Sequence, residues 1–414
     1  MSDARVTNWA GNIVFSTSAL HRPTSVEQVQ DLVAAGGPVK VLGSGHSFNR
    51  MADTTGDLIS LAGLPRIAEL DPDRTSVRVD GGIRYGDLAE LLHAEGLALH
   101  NLASLPHISV AGAVATATHG SGRQHANLAA AVSAIELVRG DGTLVTLRRG
   151  APGFAGAVVH LGALGVVTAL TLDVEPADEL RQYVYDDLPR AAIEAHVDEI
   201  LDDGCSVSLF TTWTSPDISM VWLKRRESMP AGDYHGARRA PEPRHPVPGM
   251  PAQNSTDQSG EPGPWHTRLP HFRMEFTPSS GEELQSEYHV PRQRALDAID
   301  ALQAIGHRIA PALQVCELRT IAADDLWLSP NYRRDTFALH FTWIADADTV
   351  LPAVAQVEQA LAPLDPRPHW GKIYTTDPAT VRAHYERFDD FVALVHEFDP
   401  YGVFRNPWLD DLLG

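Results

Sequence analysis

The sequence predicts an α+β protein with more than one domain. Three observations support this: the chain has 414 residues, 43% of them are hydrophobic, and the pattern of its segments changes partway along. Because one domain usually holds about 100–200 residues, this length suits two or three domains. Up to about residue 175 short helical and extended patterns alternate between glycines, and beyond about residue 180 long amphipathic strands follow. We therefore expect two domains, 1–178 and 179–371, and a C-terminal segment, 372–414, that returns to the first domain.

Turn signals and periodicity predict the elements of the first domain. Thr24 forms a predicted capping box with Glu27, and apolar residues at helical spacing follow it. The other predicted elements are a strand at 38–42, a strand at 75–80, a helix at 87–92, a hairpin at 135–147 and a strand at 164–174.

The second domain is predicted to be a sheet with helices on one side. Its predicted strands are 206–210, 220–224, 271–276, 284–290, 314–320 and 337–343, and its predicted helices lie near 291–305 and 350–362. The stretch 231–270 is rich in proline, glycine and polar residues, so we expect a long excursion, ordered or mobile, and assign no elements to it.

Charge and cysteine content disfavour several classes of protein. With 33 basic and 53 acidic residues the net charge is −20, which repels nucleic acid and anionic lipid, so we expect neither as a partner. Cys205 and Cys316 form no disulfide framework and no C-x-x-C spacing, and we expect no metal site. The first nine residues contain no apolar signal segment, and no run approaches the roughly 18 apolar residues of a membrane span. We expect a cytoplasmic monomer.

A Gly-Ser-Gly-His-Ser turn at 43–47 follows the predicted strand at 38–42. Glycines permit a positive φ, and consecutive backbone N–H groups can hold an anion such as a phosphate. A tight surface turn is the alternative interpretation. Because Phe48 occupies the last position of the G-x-G-x-x-G pattern, a dinucleotide fold of the NAD type is disfavoured.

The segment 103–122 consists almost wholly of small and hydroxylated residues. Such residues fill a core poorly but let the backbone approach a large planar ligand closely. A tightly packed crossover without a ligand is the alternative. A third glycine turn, 162–167, would add further backbone contacts.

Three predicted strands each place two polar side chains on one face, because residues two apart in a strand project to the same side. The pairs are Gln285 with Glu287, Glu317 with Arg319, and His340 with Thr342. Side by side, these strands would form a surface that binds several hydroxyl groups. A solvated outer face is the alternative.

Lys372 follows an aromatic residue and a glycine near the end of the chain, in the run His369-Trp370-Gly371-Lys372. A surface charge is the usual role of a lysine. Because Trp370 and Tyr374 flank this one, partial burial is the competing prediction.

Taken together, these segments resemble the vanillyl-alcohol-oxidase type of FAD enzymes, and within that type the bacterial alditol oxidases. The similar stretches are 8–12, 41–49, 103–122, 245–251 and 369–372, so the likeness extends over nearly the whole chain. The resemblance implies a two-domain PCMH-type FAD-binding fold whose substrate domain is an antiparallel sheet flanked by helices. It also implies FAD as the cofactor, and a polyol and O₂ as substrates.

In that family the histidine of the glycine turn carries FAD covalently, which here implies a bond at His46. Members with a second flavin linkage use a cysteine where this chain has Ser104 and Leu105, so the resemblance implies a single attachment. Ala103 would leave room for oxygen at the flavin. The implied cofactor contacts are Gly43, Ser44, Gly45, His46, Ser47, Ser104, Ser109, Gly112, Thr116, Thr118, His119, Gly120, Gly165, Val166, Val167 and Lys372.

The resemblance also gives roles to the polar strands. It implies substrate binding by Ser104, Gln285, Glu317, Arg319, Thr342 and Lys372, and catalysis by Arg319, His340 and Lys372. Removing a hydride from an alcohol requires the hydroxyl proton to leave as well, so a base and cations near that oxygen favour the reaction. Which of the three is the base stays open. His107 and His119 are expected to be structural or adjacent to the flavin.

The predicted activity is the oxidation of an alditol such as xylitol or sorbitol at C1 to the aldose, with reduction of O₂ to H₂O₂. An aldonolactone oxidase or dehydrogenase of the same fold is the alternative, since it shares the H-W-x-K ending and an acidic-x-basic strand pair. A polyol-binding module without catalysis is a third hypothesis, and it predicts a colourless protein.

Overall fold

A computed structural model of the chain describes residues 6–277, 279 and 281–414. The first part of the chain contains strands β1 Ala19–His21, β2 Val39–Val41, β3 Asp57–Ile59, β4 Ala68–Leu70, β5 Ser76–Asp80, β6 Leu97–Ala98, β7 Val132–Val138, β8 Leu144–Arg148, β9 Val166–Asp173 and β10 Glu175–Pro176. Its helices are α1 Val26–Ala34, α2 Tyr85–Ala94, α3 Val110–Ala115 and α4 Phe154–Val158.

The second part is built on longer strands. They are β11 Glu179–Leu188, β12 Ser206–Thr211, β13 Ile218–Arg225, β14 Arg238–Arg239, β15 Gly263–Pro264, β16 Leu284–Pro291, β17 Leu313–Ile321, β18 Thr336–Trp343 and β19 Arg367–Pro368. Its helices are α5 Arg190–Asp202, α6 Ala295–Ile309 and α7 Ala347–Leu361, and the chain ends with α8 Pro378–Ala383, α9 Phe388–Phe398 and α10 Pro407–Leu413.

The described strands form one small parallel sheet, a two-stranded antiparallel sheet of β6 and β10, and two larger antiparallel sheets. The parallel sheet has the order β1-β3-β2, and the five-stranded sheet has the order β4-β5-β9-β7-β8. A nine-stranded sheet has the order β14-β11-β13-β12-β17-β18-β16-β19, with β15 paired to β11. The predicted α+β class is therefore confirmed. The expected boundary at 178 falls between β10, which pairs with β6, and β11 of the nine-stranded sheet.

Helices cover one face of the nine-stranded sheet. Leu339 and Phe341 of β18 point to this face and pack in a buried cluster with Ile299 of α6 and Val354 of α7. The residues between them, His340 and Thr342, therefore point to the opposite face, as the period-two pattern predicts. That opposite face turns toward the first part of the chain.

The C-terminal segment packs against the first part of the chain. Phe391 and Leu394 of α9 share a buried cluster with Leu170 of β9. The Val39 N–H donates to the carbonyl of Val403 at 2.8 Å, which joins the segment to β2.

Two predicted elements differ from the structure. Helix α1 is capped by Ser25, whose hydroxyl accepts from the Gln28 N–H at 3.3 Å, so the predicted cap at Thr24 is one residue too early. The predicted strand at 271–276 is wrong. The His271 N–H donates to the carbonyl of Ser104 at 3.0 Å, so this segment crosses to the first part of the chain instead of joining a sheet.

No helix in the described part of the chain combines the length and the apolar content that a membrane crossing requires.

Candidate active site

The two parts of the chain enclose a cavity of about 370 Å³, a size typical of sites for small molecules. Its walls are the glycine turn and the small-residue segment of the first part, the polar face of the nine-stranded sheet, and the loop after β19. The predicted site residues that line it are Gly43, Ser44, Gly45, His46, Ser47, Ala103, Ser104, Ser109, Gly112, Thr116, Thr118, His119, Gly165, Val167, Gln285, Glu317, Arg319, His340, Thr342 and Lys372.

Two predicted cofactor contacts, Gly120 and Val166, lie outside this lining. A Cβ at Gly120 would lie 2.4 Å from the carbonyl oxygen of Leu102, so this position packs against the chain itself. Val166 is fully buried in an apolar cluster with Val138 and Phe404. Its neighbour Val167 does line the cavity, because alternate residues of β9 point to opposite faces. We leave Gly120 and Val166 out of the proposed contact set.

The glycine turn packs directly on the small-residue segment. A Cβ at Gly43 would lie 2.4 Å from the hydroxyl of Ser109, and the Ser109 N–H donates to the hydroxyl of Ser44 at 3.2 Å. Gly45 has a φ of 71°, which favours glycine, and its carbonyl accepts from the Trp9 N–H at 2.8 Å. The turn therefore forms part of the cavity wall, and the interpretation as a simple surface turn is wrong.

His46 presents two buried ring nitrogens to this cavity, and neither has a hydrogen-bond partner among the described residues. Its ring stacks on Trp9 with centroids 5.0 Å apart. Burial, with smaller contributions from His107 and Lys372, lowers the pKa of His46 to about 4, so the ring is neutral at pH 7. Because buried polar atoms are nearly always satisfied, these nitrogens indicate a bound group in this cavity.

A pair of glycines that the sequence analysis did not single out, Gly81 and Gly82, also lines the cavity. A Cβ would lie 2.1 Å from the carbonyl oxygen of Val167 at Gly81 and 2.4 Å from that of Leu61 at Gly82. Larger residues do not fit at either position. Two consecutive glycines directly after the predicted strand at 75–80 were the signal that could have found them.

The polar strand residues lie side by side, as predicted. In the antiparallel register His340 is opposite Glu287 on one neighbouring strand and Glu317 on the other, and Thr342 is opposite Gln285. All of these side chains are buried, with at most 9% of any residue exposed. The interpretation of this face as a solvated surface is therefore wrong.

Arg319 links the two walls of the cavity. Its guanidinium donates to Glu287 Oε1 at 2.7 Å and to the hydroxyl of Ser104 at 3.4 Å, and its Nε lies 3.7 Å from Glu317 Oε1. Burial opposes its charge, but Glu317 and Glu287 together raise the pKa of Arg319 above its ordinary value. The guanidinium is therefore a fixed cation in the wall.

Lys372 also reaches the cavity, so it is not a surface charge. The Asn49 side chain donates to the carbonyls of Trp370 and Lys372 at 2.7 and 3.0 Å, which holds this loop against the glycine turn. The Lys372 ammonium donates to the side-chain carbonyl of Gln285 and lies 3.4 Å from Nδ1 of His340. Burial lowers the pKa of Lys372 to about 8, although Glu287 opposes the change.

Two further residues line the cavity, Glu287 and His271, and both were absent from the predicted site set. Burial favours a neutral carboxyl at Glu287, but Arg319, His119 and His340 together hold its pKa well below the ordinary value. The pattern of β16 had placed Glu287 on the correct face without giving it a role.

His271 connects Glu317 to a buried lysine. Its Nε2 lies 2.8 Å from Glu317 Oε1, and its Nδ1 lies 2.9 Å from the ammonium of Lys224. Because the ionised carboxylate of Glu317 can only accept, Nε2 of His271 carries the proton and Nδ1 accepts from the Lys224 side chain. Burial lowers the pKa of His271 to about 4 and that of Lys224 to about 7. His271 was missed because it lies in the segment wrongly predicted as a strand.

One group of potential metal ligands lies near the wall: His119, Glu287 and His289 offer atoms within 4.8 Å of one another. Both oxygens of Glu287, however, already contact Arg319 or His340. A guanidinium cation on the same carboxylate opposes a second cation, so we assign no metal to this group.

Similarity to known proteins agrees with a flavin site. The model of an FAD binding domain matches residues 17–148, and the model of D-arabinono-1,4-lactone oxidase matches residues 280–412. A solvent-stable cholesterol oxidase has the same fold, with a TM-score of 0.81 over 99% of this chain and 97% of that chain, at 16% identity. The chain is thus an FAD-dependent oxidoreductase, and the predicted FAD-binding fold is confirmed.

Relatives that match over the full length of the chain identify its family within the FAD-dependent oxidoreductases. The chain is 54% identical over 411 residues to the alditol oxidase of Streptomyces sp., and the match covers 99% of both chains. It is 28% identical over 435 residues to the L-gulono-1,4-lactone dehydrogenase of Mycobacterium tuberculosis, with 98% of both covered. The chain belongs to the alditol oxidase family, as its sequence resemblance predicted.

Proposed function

We propose that this flavoenzyme oxidises the terminal C1 alcohol of an alditol to the aldose and passes the two electrons to O₂, which gives H₂O₂. One observation carries the proposal: a row of buried hydroxyl-binding side chains faces the His46 turn across one cavity. The 54% identity to an alditol oxidase along the whole chain supports the choice of substrate.

The residues of the wall suit an open-chain polyol. Gln285, Glu317, Thr342 and Ser104 offer acceptors and donors that match a row of hydroxyl groups. Glu317 suits a donor hydroxyl best, because His271 occupies Oε1 while Oε2 accepts no hydrogen bond from the described residues. Hydrogen bonds to such a charged acceptor contribute about 1.5–3 kcal/mol each.

The cations of the wall suit the reacting end of the substrate. Negative charge develops on the C1 oxygen as its proton leaves, and donors fixed in advance stabilise that charge in a site that excludes water. Arg319 and Lys372 are such donors. His340, which lies 3.4 Å from Lys372, is close enough to act on the same oxygen.

The residues on the other side of the cavity fit FAD. The buried, unpartnered nitrogens of His46 and the glycines 43, 81, 82 and 112 provide the close backbone approach that such a cofactor needs. FAD supplies the acceptor for two electrons and returns them to oxygen. The proposed contacts are Gly43, Ser44, Gly45, His46, Ser47, Ser104, Ser109, Gly112, Thr116, Thr118, His119, Gly165, Val167 and Lys372. Ala103 keeps space for O₂ because its side chain is small.

We further propose that His46 is the covalent attachment point. A neutral imidazole nitrogen without a hydrogen-bond partner is free to form a bond. Acid precipitation of the holoenzyme should leave a yellow pellet, since only bonded flavin survives denaturation, and His46→Ala should give a colourless pellet. His107→Ala, which changes a neighbouring histidine, is the matched control and should keep the colour. Colour in the His46→Ala pellet would refute the assignment.

The alternative activity is oxidation of an aldonolactone, because a lactone oxidase model matches residues 280–412. Peroxide formation with a panel of alditols from three to six carbons, set against γ-lactones, separates the two activities. We expect peroxide with xylitol or sorbitol and none with the lactones, and the reverse result would overturn the proposal.

We also propose that the protein acts as a cytoplasmic monomer. Two cysteines that form no disulfide framework suit a reducing compartment. Light scattering during gel filtration should give one species near 44.9 kDa, and a species of twice that mass would exclude the monomer.

A further inference from the structure

The carboxylate of Glu287 is the central buried group of the polar wall. It lies on β16, with 2% of the residue exposed. Oε1 accepts from the Arg319 guanidinium at 2.7 Å and lies 3.1 Å from His119 Nε2, while Oε2 lies 3.2 Å from Nδ1 of His340. Because both oxygens are occupied, Glu287 itself cannot accept a proton from a substrate without losing these contacts.

The contact with His340 decides which nitrogen of that ring carries the proton. An ionised carboxylate can only accept hydrogen bonds, so the proton lies on Nδ1 and Nε2 keeps its lone pair. Nε2 is on the side of Thr342, whose hydroxyl lies 3.5 Å away, and both residues line the cavity. Lys372 also approaches Nδ1, at 3.4 Å, but its ammonium can direct its N–H groups to Gln285 instead. An unprotonated Nδ1 would place its lone pair against those of the Glu287 carboxylate at 3.2 Å.

We propose that Glu287 is a positioning residue that fixes His340 as the Nδ1–H tautomer, so that Nε2 of His340 is the catalytic base of the reaction. This inference rests on the proposed alditol oxidation. In the step, the C1 O–H bond breaks and its proton goes to Nε2, the oxygen's electron pair forms the carbonyl bond, and the C1 hydride leaves to the flavin as oxidant. The imidazolium that results is stabilised by the adjacent carboxylate, as a buried acid stabilises the histidine of a hydrolase triad.

The charges around His340 agree with this role. Burial lowers the pKa of His340. The positive charges of Lys372 and Arg319 lower this pKa further, and the negative charge of Glu287 raises it. Glu317 and His369 also lie close enough to interact with the ring. The pKa of His340 stays below its ordinary value, so the ring is neutral and able to accept a proton at pH 7.

The first test is the variant Glu287→Gln, which keeps the shape but lets an amide donate to Nδ1. The wrong tautomer should lower kcat by roughly 10²-fold to 10⁴-fold, the range that general-base catalysis contributes. If the effect passes through His340, Glu287→Gln should lower kcat by a factor at least ten times smaller when His340→Gln is already present. When Lys372→Met is already present, Glu287→Gln should still lower kcat by its full factor. An equal loss of kcat in the unmodified enzyme, the His340→Gln variant and the Lys372→Met variant would overturn the proposal.

The pH profile of activity distinguishes a positioning role of Glu287 from a purely structural one. Because Glu287 raises the pKa of His340, its removal should shift the acidic limb of kcat/KM to lower pH. A purely structural role would reduce activity without moving that limb. Melting temperature and flavin content identify a variant that has lost its fold. If Glu287→Gln does so, the tautomer of His340 in the unmodified chain tests the proposal instead.

That measurement is nitrogen NMR of the holoenzyme with ¹⁵N-labelled histidine, in which the His340→Gln variant identifies the signals of His340. We expect a protonated Nδ1 and an unprotonated Nε2, and the opposite tautomer would refute the inference. Since the spectrum requires no turnover, it separates the two proposals. A protein with this tautomer that gives no peroxide from alditols would contradict the proposed function and leave the contact intact.

Discussion

Replacement of Glu317 by glutamine tests whether the polar wall binds the hydroxyl groups of the substrate. In the structure His271 donates to Oε1 at 2.8 Å, so Oε2, which accepts from none of the described residues, is the oxygen available to a polyol. Glutamine preserves the shape and can still accept from His271 through its carbonyl. It replaces the charged acceptor with an amide, and we expect the substrate to bind more weakly while the reacting end keeps its partners.

The magnitude follows from the kind of hydrogen bond that is lost. A bond to a charged acceptor contributes about 1.5–3 kcal/mol, and a neutral one contributes about 0.5–1.5 kcal/mol. The two ranges differ by about 1–1.5 kcal/mol, which corresponds to roughly a tenfold change in affinity. We therefore expect the KM for xylitol or sorbitol to rise about tenfold, with kcat reduced by less than that factor.

Steady-state peroxide assays on the holoenzyme measure both parameters. Asp324→Asn is the matched control, because Asp324 is a half-buried carboxyl outside the cavity that accepts from Asn127 at 2.7 Å and Ser329 at 2.6 Å. It should lower the melting temperature and leave KM unchanged. A KM for Glu317→Gln within twofold of the unmodified enzyme would refute the role assigned to this wall.

Three further predictions follow from the same geometry. Lys224→Met should raise KM several-fold at nearly constant kcat in the peroxide assay, because His271 loses the donor that fixes its Nε2–H toward Glu317; an unchanged KM would contradict this. Ala103→Val should slow the reoxidation of the reduced enzyme by O₂ in stopped-flow measurements more than it slows reduction by substrate, and an unaffected oxygen step would exclude Ala103 as the oxygen passage. Burial lowers the pKa of His160 and His271 from 6.5 to about 4, so only the unfolded chain takes up these protons between those values. Acid should therefore reduce the free energy of unfolding across that window by up to about 3 kcal/mol for each histidine, and a constant stability from pH 6.5 to 4 would refute it.

The polar face of the sheet could be predicted because two constraints act on it together. Helices α6 and α7 bury Leu339 and Phe341, so β18 cannot shift by one residue without exposing them. That requirement fixes His340 and Thr342 on the opposite face. The same reasoning applies to β16 and β17, whose antiparallel register then aligns the polar pairs.

Contacts between distant segments could not be predicted in this way. His271 and Phe272 have the local pattern of a strand, yet the carbonyl of Ser104 accepts both of their N–H groups, at 3.0 and 3.3 Å. Nothing local to 271–276 encodes a partner so far away in the chain. Strand β11 was missed for a related reason. The polar residues at both of its ends interrupt the alternation of polar and apolar residues, and the strand is defined by its pairing with β13.

The charges of the wall form pairs, and this arrangement leaves one group whose protonation is easily changed. Glu317 is held by His271 and Arg319, and Glu287 is held by Arg319 and His340, so both acids stay ionised. Lys372 instead donates to the neutral side-chain carbonyl of Gln285, and burial brings its pKa to about 8. An anion that enters the cavity beside Lys372 favours its charged form, because an opposite charge within a few ångströms raises the pKa of an ammonium. The protonation of Lys372 near pH 8 therefore depends on the charge of what the cavity holds, whereas that of the two carboxylates is set by the fold.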